Sequence, residues 1–483
     1  MPDTPIPSHH LTIPRLFIAI FFILPSCSTL ERMPPEVVEA GLARARAQGD
    51  LMPLEEKARE FRERIAAHHI TREGLLNFRT PFPYAIEVPP SPYADTGAWT
   101  SLWVASLVYE YRVTANPDIR PLLERSLRGL SHLARVSGEP GLLARAMVPA
   151  ALNPAASDDV RVWRRGRGGH DGLNYDDYLW KTDNAKAQLV CWLLAVHLGL
   201  EELPDGPLRN DLREDLREVS YRIFKEDLNL TDAKGRPERY GDLHPAFRPP
   251  FTHFASCCWT LFSDQWPVWD LAIAPNALVS LSLARVHDSH VPGRSREAGL
   301  KDEGFDRVVA EGFYEVPGLP KYGNDNLSML GILTLLESYP PRHLGDALEQ
   351  GARRVWERHR YDRNSFFTLV ALRAGAIDRH EIARRLAEAL YSLQVFPRDR
   401  RIRETDARDL PGLQRRFWSR GRAQHPLPLN YLSSSSFVWK AEPSELRDYP
   451  GADGSTAHAP MDYLLAYWLY RSLQRDGLIP ETP

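Results

Sequence analysis

The sequence predicts an all-α fold, an (α/α)6 toroid of six inner and six outer helices with long loops at one end. Two kinds of helix alternate along the chain, one amphipathic and one apolar nearly all round. This order repeats six times, and the joints that lead into the apolar helices are much longer than the joints that leave them. Two concentric layers, with the apolar helices inside, bury both kinds of surface.

The amphipathic segments place apolar residues three or four positions apart. In the first of them Ala58, Phe61 and Ile65 form the apolar stripe, and arginine and glutamate fill the other faces. The same pattern recurs at 123–130, 208–223, 305–312, 344–355 and 382–389. We expect these six segments to form the outer layer.

The apolar segments each begin with a polar cluster. The clusters lie at 95–99, 181–184, 275–276, 324–326, 364–365 and 461–463. Aspartate, asparagine, serine and threonine are typical of helix N-termini, because their side-chain oxygens accept free backbone N–H groups. A helix that is apolar on all sides belongs in a core, so these six segments predict the inner layer.

Long joints carry the functional signal. They span about 136–180, 227–274 and 396–460, with a fourth at 67–94, whereas the joints that leave the apolar helices are short. Long structureless loops are uncommon in compact domains and are usually functional. All of them fall at the end of the ring where the inner helices begin, which we call the mouth.

An apolar run precedes the predicted domain. Residues 16–24 read LFIAIFFIL after Arg15, which is the length of a signal-peptide core and too short to span a bilayer comfortably. The following LPSC resembles a lipobox. We therefore expect a lipoprotein-type signal peptide at 1–26 with cleavage before a lipidated Cys27, a linker at 27–35 and one toroid domain at 36–483. An uncleaved anchor and a simple secretory signal are the alternatives.

These features predict an exported protein, periplasmic or held at the outer membrane, that contacts the membrane only through its N-terminal signal or lipid. The formal net charge of −3 gives no reason to expect a nucleic-acid partner. The chain has no P-loop, no GxGxxG after a strand, no DDxxD cluster and no Cys/His zinc spacing, so no cofactor and no metal are predicted. Cys191, Cys257 and Cys258 are expected to be buried thiols.

The mouth supplies the candidate site residues. Asp95, Asp183 and Asp325 are the catalytic candidates, with the alternative that each merely caps a helix. The substrate-binding candidates are polar or aromatic residues of the helix starts and long joints: Trp99, Arg145, Trp180, Lys181, Glu238, Arg239, Tyr240, His244, His253, Asn324, Asn326, Trp439, Asp462 and Tyr463. For the aromatic residues the alternative is that they anchor the loops.

Three segments carry a resemblance: DTGAWTSLWVASLVYEYRVT, GLLARAMVP and NDNLSMLGILTLLE. With the alternation of helices and the aromatic-rich mouth, they look like bacterial proteins of toroid architecture and are similar to the six-hairpin glycosidases and polysaccharide lyases. The resemblance covers most of the chain after Pro35 and implies the fold. The chain has no complete catalytic signature of those families, so no catalytic residue is transferred from them.

The favoured function is an exported glycoside hydrolase that acts on an envelope or environmental glycan through paired carboxylates. A polysaccharide lyase on the same face is an alternative, with Tyr240, His244 and His253 beside Arg239 as its residues. A non-catalytic envelope lipoprotein that binds a glycan or a protein is the second alternative. The sequence does not specify an oligomeric state.

Overall fold

The computed structural model describes residues 30–84, 95–152, 162–245, 273–311, 322–339, 345–416, 419–432, 437–438 and 443–480. The chain is mostly helical, with 56% helix and 14% strand, and the described residues contain 14 helices. The predicted helical class is therefore confirmed. The predicted signal peptide at 1–26, Cys27, His253 and Trp439 lie outside the described residues, as do Cys257 and Cys258.

The helices are α1 Pro35–Ala47, α2 Leu54–His68, α3 Thr96–Thr114, α4 Ile119–Arg135, α5 Lys186–Glu202, α6 Pro207–Lys225, α7 Ile273–His290, α8 Arg296–Asp302, α9 Phe305–Glu311, α10 Tyr322–Ser338, α11 Gly345–Arg358, α12 Ser365–Arg373, α13 Ile382–Val395 and α14 Met461–Arg475. The strands are β1 Arg79–Pro81, β2 Ala146–Pro149, β3 Trp163–Arg165, β4 Gly169–His170, β5 Leu173–Asn174, β6 Tyr178–Lys181, β7 Asn229–Thr231, β8 Pro237–Asp242, β9 Arg401–Asp406, β10 Arg415–Arg416, β11 Ser419–Ala423 and β12 Arg447–His458.

Six apolar helices form the core. Helix α3 packs on α5, α5 on α7, α7 on α10, α10 on α12, α12 on α14, and α14 packs back on α3. Large side chains such as Trp103 and Trp192 are completely buried among them. Because these helices present no polar stripe, every face must contact protein, and neighbours on both sides satisfy that requirement.

Each core helix has an amphipathic partner. Helix α2 packs on α14, α4 on α3, α6 on α5, α11 on α10 and α13 on α12. The amphipathic segment predicted at 305–312 forms helix α9. The sequence did not indicate the second short helix, α8, and α8 and α9 both pack on α7. Gly304 separates them with a φ of 85°, a conformation that interrupts a right-handed helix.

The long joints contain β-strands, although the sequence predicted structureless loops there. Strand β6 pairs with β2 and β3 inside the second joint, and β7 pairs with β8 inside the third. Strand β12 lies between β1 and β9, with Arg79 opposite His458, so the first and last joints share one antiparallel sheet. This pairing satisfies the backbone groups of the joints.

The polar helix starts differ in what they do. Asn364 is a true N-cap of α12, since its side chain accepts the N–H of Phe367 at 3.2 Å. Asp95 precedes α3 without such a bond, and α5 begins only at Lys186, which leaves Asp183 before the helix. Neither aspartate makes the side-chain bond of a helix cap, although Asp95 occupies the N-cap position of α3.

Lys57 links helix α2 to the end of α13. Its ammonium group is buried and donates to the carbonyl oxygens of Leu393, Gln394 and Phe396 at 3.3, 2.7 and 3.0 Å. Burial lowers the pKa of Lys57 to about 8. These bonds join residues more than three hundred positions apart, at the carbonyl end of α13 where a cation is favourable.

In the described part of the chain, no helix combines the length and the apolar character that crossing a bilayer requires. Cys191 is buried within α5, as predicted.

Candidate functional site

Arg145 bridges two of the three catalytic candidates. Its Nε and Nη2 donate to Oδ1 of Asp95 at 3.0 and 2.7 Å. Its Nη1 donates to the backbone oxygen of Asp183 at 2.9 Å and to Oδ2 of that residue at 3.4 Å. The guanidinium group therefore brings together the residues that precede α3 and α5.

Backbone pairing fixes Arg145 in this place. The backbone N–H of Arg145 donates to the carbonyl of Lys181 at 2.9 Å, one residue before β2 begins to pair with β6. Its carbonyl accepts from Nε2 of Gln188 at 2.8 Å and from the N–H of Gly97 at 3.2 Å. A Cβ atom at Gly97 would lie 2.2 Å from Nε2 of Gln188, so glycine is required for this approach of α3 to α5.

Asp183 has a left-handed backbone, with a φ of 60°. Residues other than glycine adopt this region uncommonly, and such positions concentrate at functional sites. The N–H of Asp183 donates to Oε1 of Glu238 at 3.1 Å, while its carbonyl faces Arg145. Both backbone polar groups are thus held by residues of other segments, which keeps the turn in this conformation.

Glu238 brings a third carboxylate, from strand β8. Burial raises the pKa of Glu238, and the negative charges of Asp183 and Asp232 act in the same direction. The hydrogen bond from the Asp183 N–H acts against them. A carboxyl group with a raised pKa keeps its proton and can act as an acid, whereas an ion-paired carboxylate beside it can act as a base.

Solvent reaches this cluster. The side chains of Asp95 and Asp183 are 30% and 31% exposed, and that of Arg145 is 15% exposed. We call Asp95, Arg145, Asp183 and Glu238 the carboxylate cluster.

A small hollow of about 20 Å³ adjoins Glu238. Trp180, Thr182, Arg222 and Thr231 are among its lining residues. Trp180 is otherwise buried, and its indole N–H donates to the carbonyl of Arg165 at 3.1 Å. The hollow therefore combines one rigid aromatic edge with hydroxyl, guanidinium and carboxyl groups.

Several substrate-binding candidates are buried in packing contacts. Trp99 stacks on Phe78 with ring centroids 4.3 Å apart, and Tyr463 lies edge-on to Phe61 at 5.0 Å. Asp462 accepts the N–H of Phe437 at 2.6 Å. Buried candidates of this kind are Trp99, Trp180, Lys181, Asn326, Asp462 and Tyr463. Their contacts are those of loop anchors, which was the alternative interpretation for the aromatic residues.

Asp325 has its own buried network. Its Oδ2 lies 2.7 Å from Nε2 of His359, and Arg358 donates to Oδ1. Nδ1 of His359 bonds Asp362, which also accepts from the hydroxyl of Tyr322. The side chain of Asp325 is 3% exposed, so no substrate can approach it without displacing these partners.

Charges in this network are strongly coupled. Burial acts to raise the pKa of Asp325, but Arg358 and His359 outweigh it and lower that pKa to about 2. Burial acts to lower the pKa of His359, but Asp362 and Asp325 outweigh it and raise that pKa to about 9. The network is therefore a charged, internally paired unit between α10 and α11.

The remaining candidate residues lie outside the carboxylate cluster or outside the described part of the chain. The ring of His244 lies 5.8 Å from that of Phe305, and its carbonyl accepts from Asn276 at 3.0 Å. Among the residues that the structure describes, buried Oδ1 of Asn324 has no hydrogen-bond partner. Arg239 and Tyr240 belong to β8, but their side chains lie outside the described part, as do His253 and Trp439.

Gln188 is a residue that the sequence did not single out. Its amide nitrogen donates to the carbonyls of Ala144 and Arg145 at 3.0 and 2.8 Å, which positions the guanidinium group of Arg145. A signal was present, because an amide in the first turn of an otherwise apolar helix must find a buried partner.

Comparison of the chain with protein-family models, with curated proteins and with solved structures finds no significant match. The resemblance to six-hairpin glycosidases and lyases therefore remains a prediction.

Proposed function

We propose that this protein is an exported glycoside hydrolase of (α/α)6 toroid architecture, with Glu238 as proton donor and Asp183 as the base that activates water. One observation carries the proposal: Glu238 and Asp183 meet beside Arg145 in a solvent-accessible cluster, with different electrostatic environments. Glycoside hydrolysis with inversion needs such a pair of carboxyl groups.

The toroid is supported by the order of helix contacts. The six apolar helices contact one another in a closed cycle, and each has an amphipathic helix on its outer side. Lys57 ties the first amphipathic helix of that cycle to the last. A closed double layer explains why no core helix needs a polar face.

The position of the cluster agrees with the predicted mouth. Asp95 and Asp183 directly precede α3 and α5, and Glu238 lies in the joint that leads to α7. All three therefore belong to the end where the inner helices begin. The peptide dipoles of these helices favour developing negative charge there.

The chemistry follows from the unequal carboxyl groups. Glu238 gives its proton to the glycosidic oxygen as the bond from carbon to that oxygen breaks. Asp183 takes a proton from the water that attacks the sugar carbon, so both fragments end as hydroxyl compounds. Arg145 orients Asp183, and Asp95 holds Arg145 in place. Asp183 then releases its proton to solvent and Glu238 takes one up from solvent, which restores the pair for the next turnover.

Arg145 is already engaged in the carboxylate cluster, so it does not supply the cation of a lyase. A lyase needs a cation that neutralises a uronate carboxylate, whereas three nitrogen atoms of Arg145 already donate to Asp95 and Asp183.

Export is proposed from the N-terminal residues. The apolar run at 16–24 and the following LPSC are typical of lipoprotein signals. A protein sent to the envelope meets polysaccharides there, which is why we propose an envelope or environmental glycan as the substrate class.

The proposal is tested with untagged protein lacking residues 1–26, incubated with a panel of envelope and plant polysaccharides. We expect new reducing ends from at least one of them, and none after the substitution Glu238→Gln. Binding of a glycan without release of reducing ends would overturn the hydrolase and favour the non-catalytic lipoprotein. Unsaturated products that absorb in the near ultraviolet would instead indicate a lyase.

A further inference from the structure

We propose that His197, Glu201 and His290 form a binding site for a zinc-type divalent ion at the C-terminal ends of α5 and α7. Within the part of the chain that the structure describes, these three side chains place their ligand atoms within 4.8 Å of one another. The site lies at the opposite end of α5 from Asp183 and is independent of the proposed hydrolase.

The spacing of the ligand atoms fits a tetrahedral ion. Nδ1 of His197 lies 2.9 Å from Nε2 of His290, and that atom lies 3.9 Å from Oε1 of Glu201. Zinc bound at its usual distances of about 2.0–2.1 Å separates neighbouring ligand atoms by about 3.3 Å. The observed separations bracket this value, so small rotations of the side chains suffice.

Nδ1 of His197 and Nε2 of His290 share one hydrogen bond, and since one of these two nitrogens must accept it, at least that ring is neutral. Neutral imidazoles bind a divalent ion without first losing a proton to solvent. The hydrogen of the bond between the two rings lies on one of the two nitrogens that would bind the metal. Metal binding requires only that this hydrogen move to the other nitrogen of the same ring.

The surrounding charges allow a cation. His290 is the last residue of α7 and Glu201 is the penultimate residue of α5, so both lie at the negative ends of helix dipoles. Three arginines nearby are paired with carboxylates: Arg112 with Glu202 and Glu337, Arg209 with Asp205, and Arg285 with Glu297. A fourth, Arg213, also acts on His290 and bonds the side chain of Asn210 instead.

Access comes from the Glu201 side. The side chain of Glu201 is 51% exposed and that of His290 is 6% exposed. Three protein ligands leave one position of a tetrahedral ion for water, as in zinc sites with two histidines and one glutamate. The ion would cross-link two neighbouring core helices at the end remote from the mouth.

The test uses untagged protein freed of metal by a chelator and then titrated with zinc chloride. We expect one zinc ion per chain by calorimetry and by elemental analysis, and a higher melting temperature with zinc than with chelator. Cobalt(II) bound at the site should give visible absorption bands of tetrahedral type.

Variants separate this site from others. Glu201→Gln, at an exposed side chain, should weaken zinc affinity at least tenfold and remove the zinc-dependent rise in melting temperature. His290→Gln should abolish binding, and His380→Gln, an exposed histidine elsewhere, should behave as wild type. The proposal is wrong if wild-type protein binds no zinc, or if Glu201→Gln and His290→Gln bind it as tightly as wild type.

Discussion

Oε1 of Glu238 accepts the backbone N–H of Asp183 at 3.1 Å, across 55 positions of the chain. This bond brings the carboxyl group of a strand residue to a turn whose φ of 60° is unusual for aspartate. Arg145 holds the other side of the same turn. The two carboxyl groups therefore lie together in different surroundings, one half-buried and one ion-paired.

Substitution of either carboxyl group should remove catalysis and preserve the fold. Glu238→Gln keeps an oxygen that can accept from Asp183 but has no acidic proton, and Asp183→Asn keeps the turn but is no base. We expect a fall of about 10²–10⁴-fold in the rate of reducing-end release for each. The measurement is kcat on the best glycan of the panel, with circular dichroism to check the fold.

A matched control for this prediction is Glu214→Gln, an exposed carboxyl group of α6 that pairs only on the surface with Arg217. It should retain wild-type activity. If Glu238→Gln and Asp183→Asn are as active as this control, the two residues are not the acid and the base.

The pH profile should report the raised pKa of Glu238. A general acid must be protonated, so kcat/KM should fall as pH rises through the pKa of Glu238. Burial and the negative charges of Asp183 and Asp232 raise that pKa, so the fall should occur at a pH above the ordinary glutamate range. Asp232→Asn removes one of these charges and keeps a side-chain oxygen that can accept the backbone N–H of Lys234. We expect its alkaline limb to shift to lower pH; an unchanged or upward shift would contradict the assignment.

Asp325→Asn should act on stability. The substitution leaves Arg358 and His359 buried without their shared counter-ion, and breaking a buried pair costs about 3–5 kcal/mol. Denaturant unfolding should show this loss, while the surface variant Asp302→Asn should not. A stable Asp325→Asn protein without activity would instead restore Asp325 as a catalytic residue.

Lys57→Met tests the link between α2 and α13. Methionine fills a similar volume but leaves the carbonyls of Leu393, Gln394 and Phe396 without their donor. Unsatisfied buried acceptors cost about 1–3 kcal/mol, so the free energy of unfolding should fall by about that amount. Lys234→Met, at an exposed lysine, is the control, and equal stability of the two variants would show that the link contributes nothing.

The sequence predicted helices well where periodicity is strong. The stripe of Ala58, Phe61 and Ile65 lies within α2 and is fully buried. No sequence pattern indicated the short helix α8 or the strands of the long joints, because short strands depend on partners that are distant in the chain. The pairing of Arg79 with His458 is an example that no local pattern indicates.

The candidate site was only partly predictable. Asp95, Arg145, Asp183 and Glu238 were all named from the sequence, but so were Trp99 and Tyr463, which the structure buries. A polar or aromatic residue near a helix start looks the same in sequence whether it faces solvent or the loop above it. The group of His197, Glu201 and His290 was missed because its members come from two helices and match no short motif.

By itself, the sequence determined the helical class and the difference between apolar and amphipathic helices. It also determined that polar residues gather at the N-terminal ends of the apolar helices. These are local properties, since a helix face repeats every 3.6 residues. Only the tertiary structure decided that Asp183 meets Glu238 and Arg145 while Asp325 is enclosed by Arg358 and His359. That choice depends on how the joints fold back on the core helices, through backbone pairing between residues far apart in the chain.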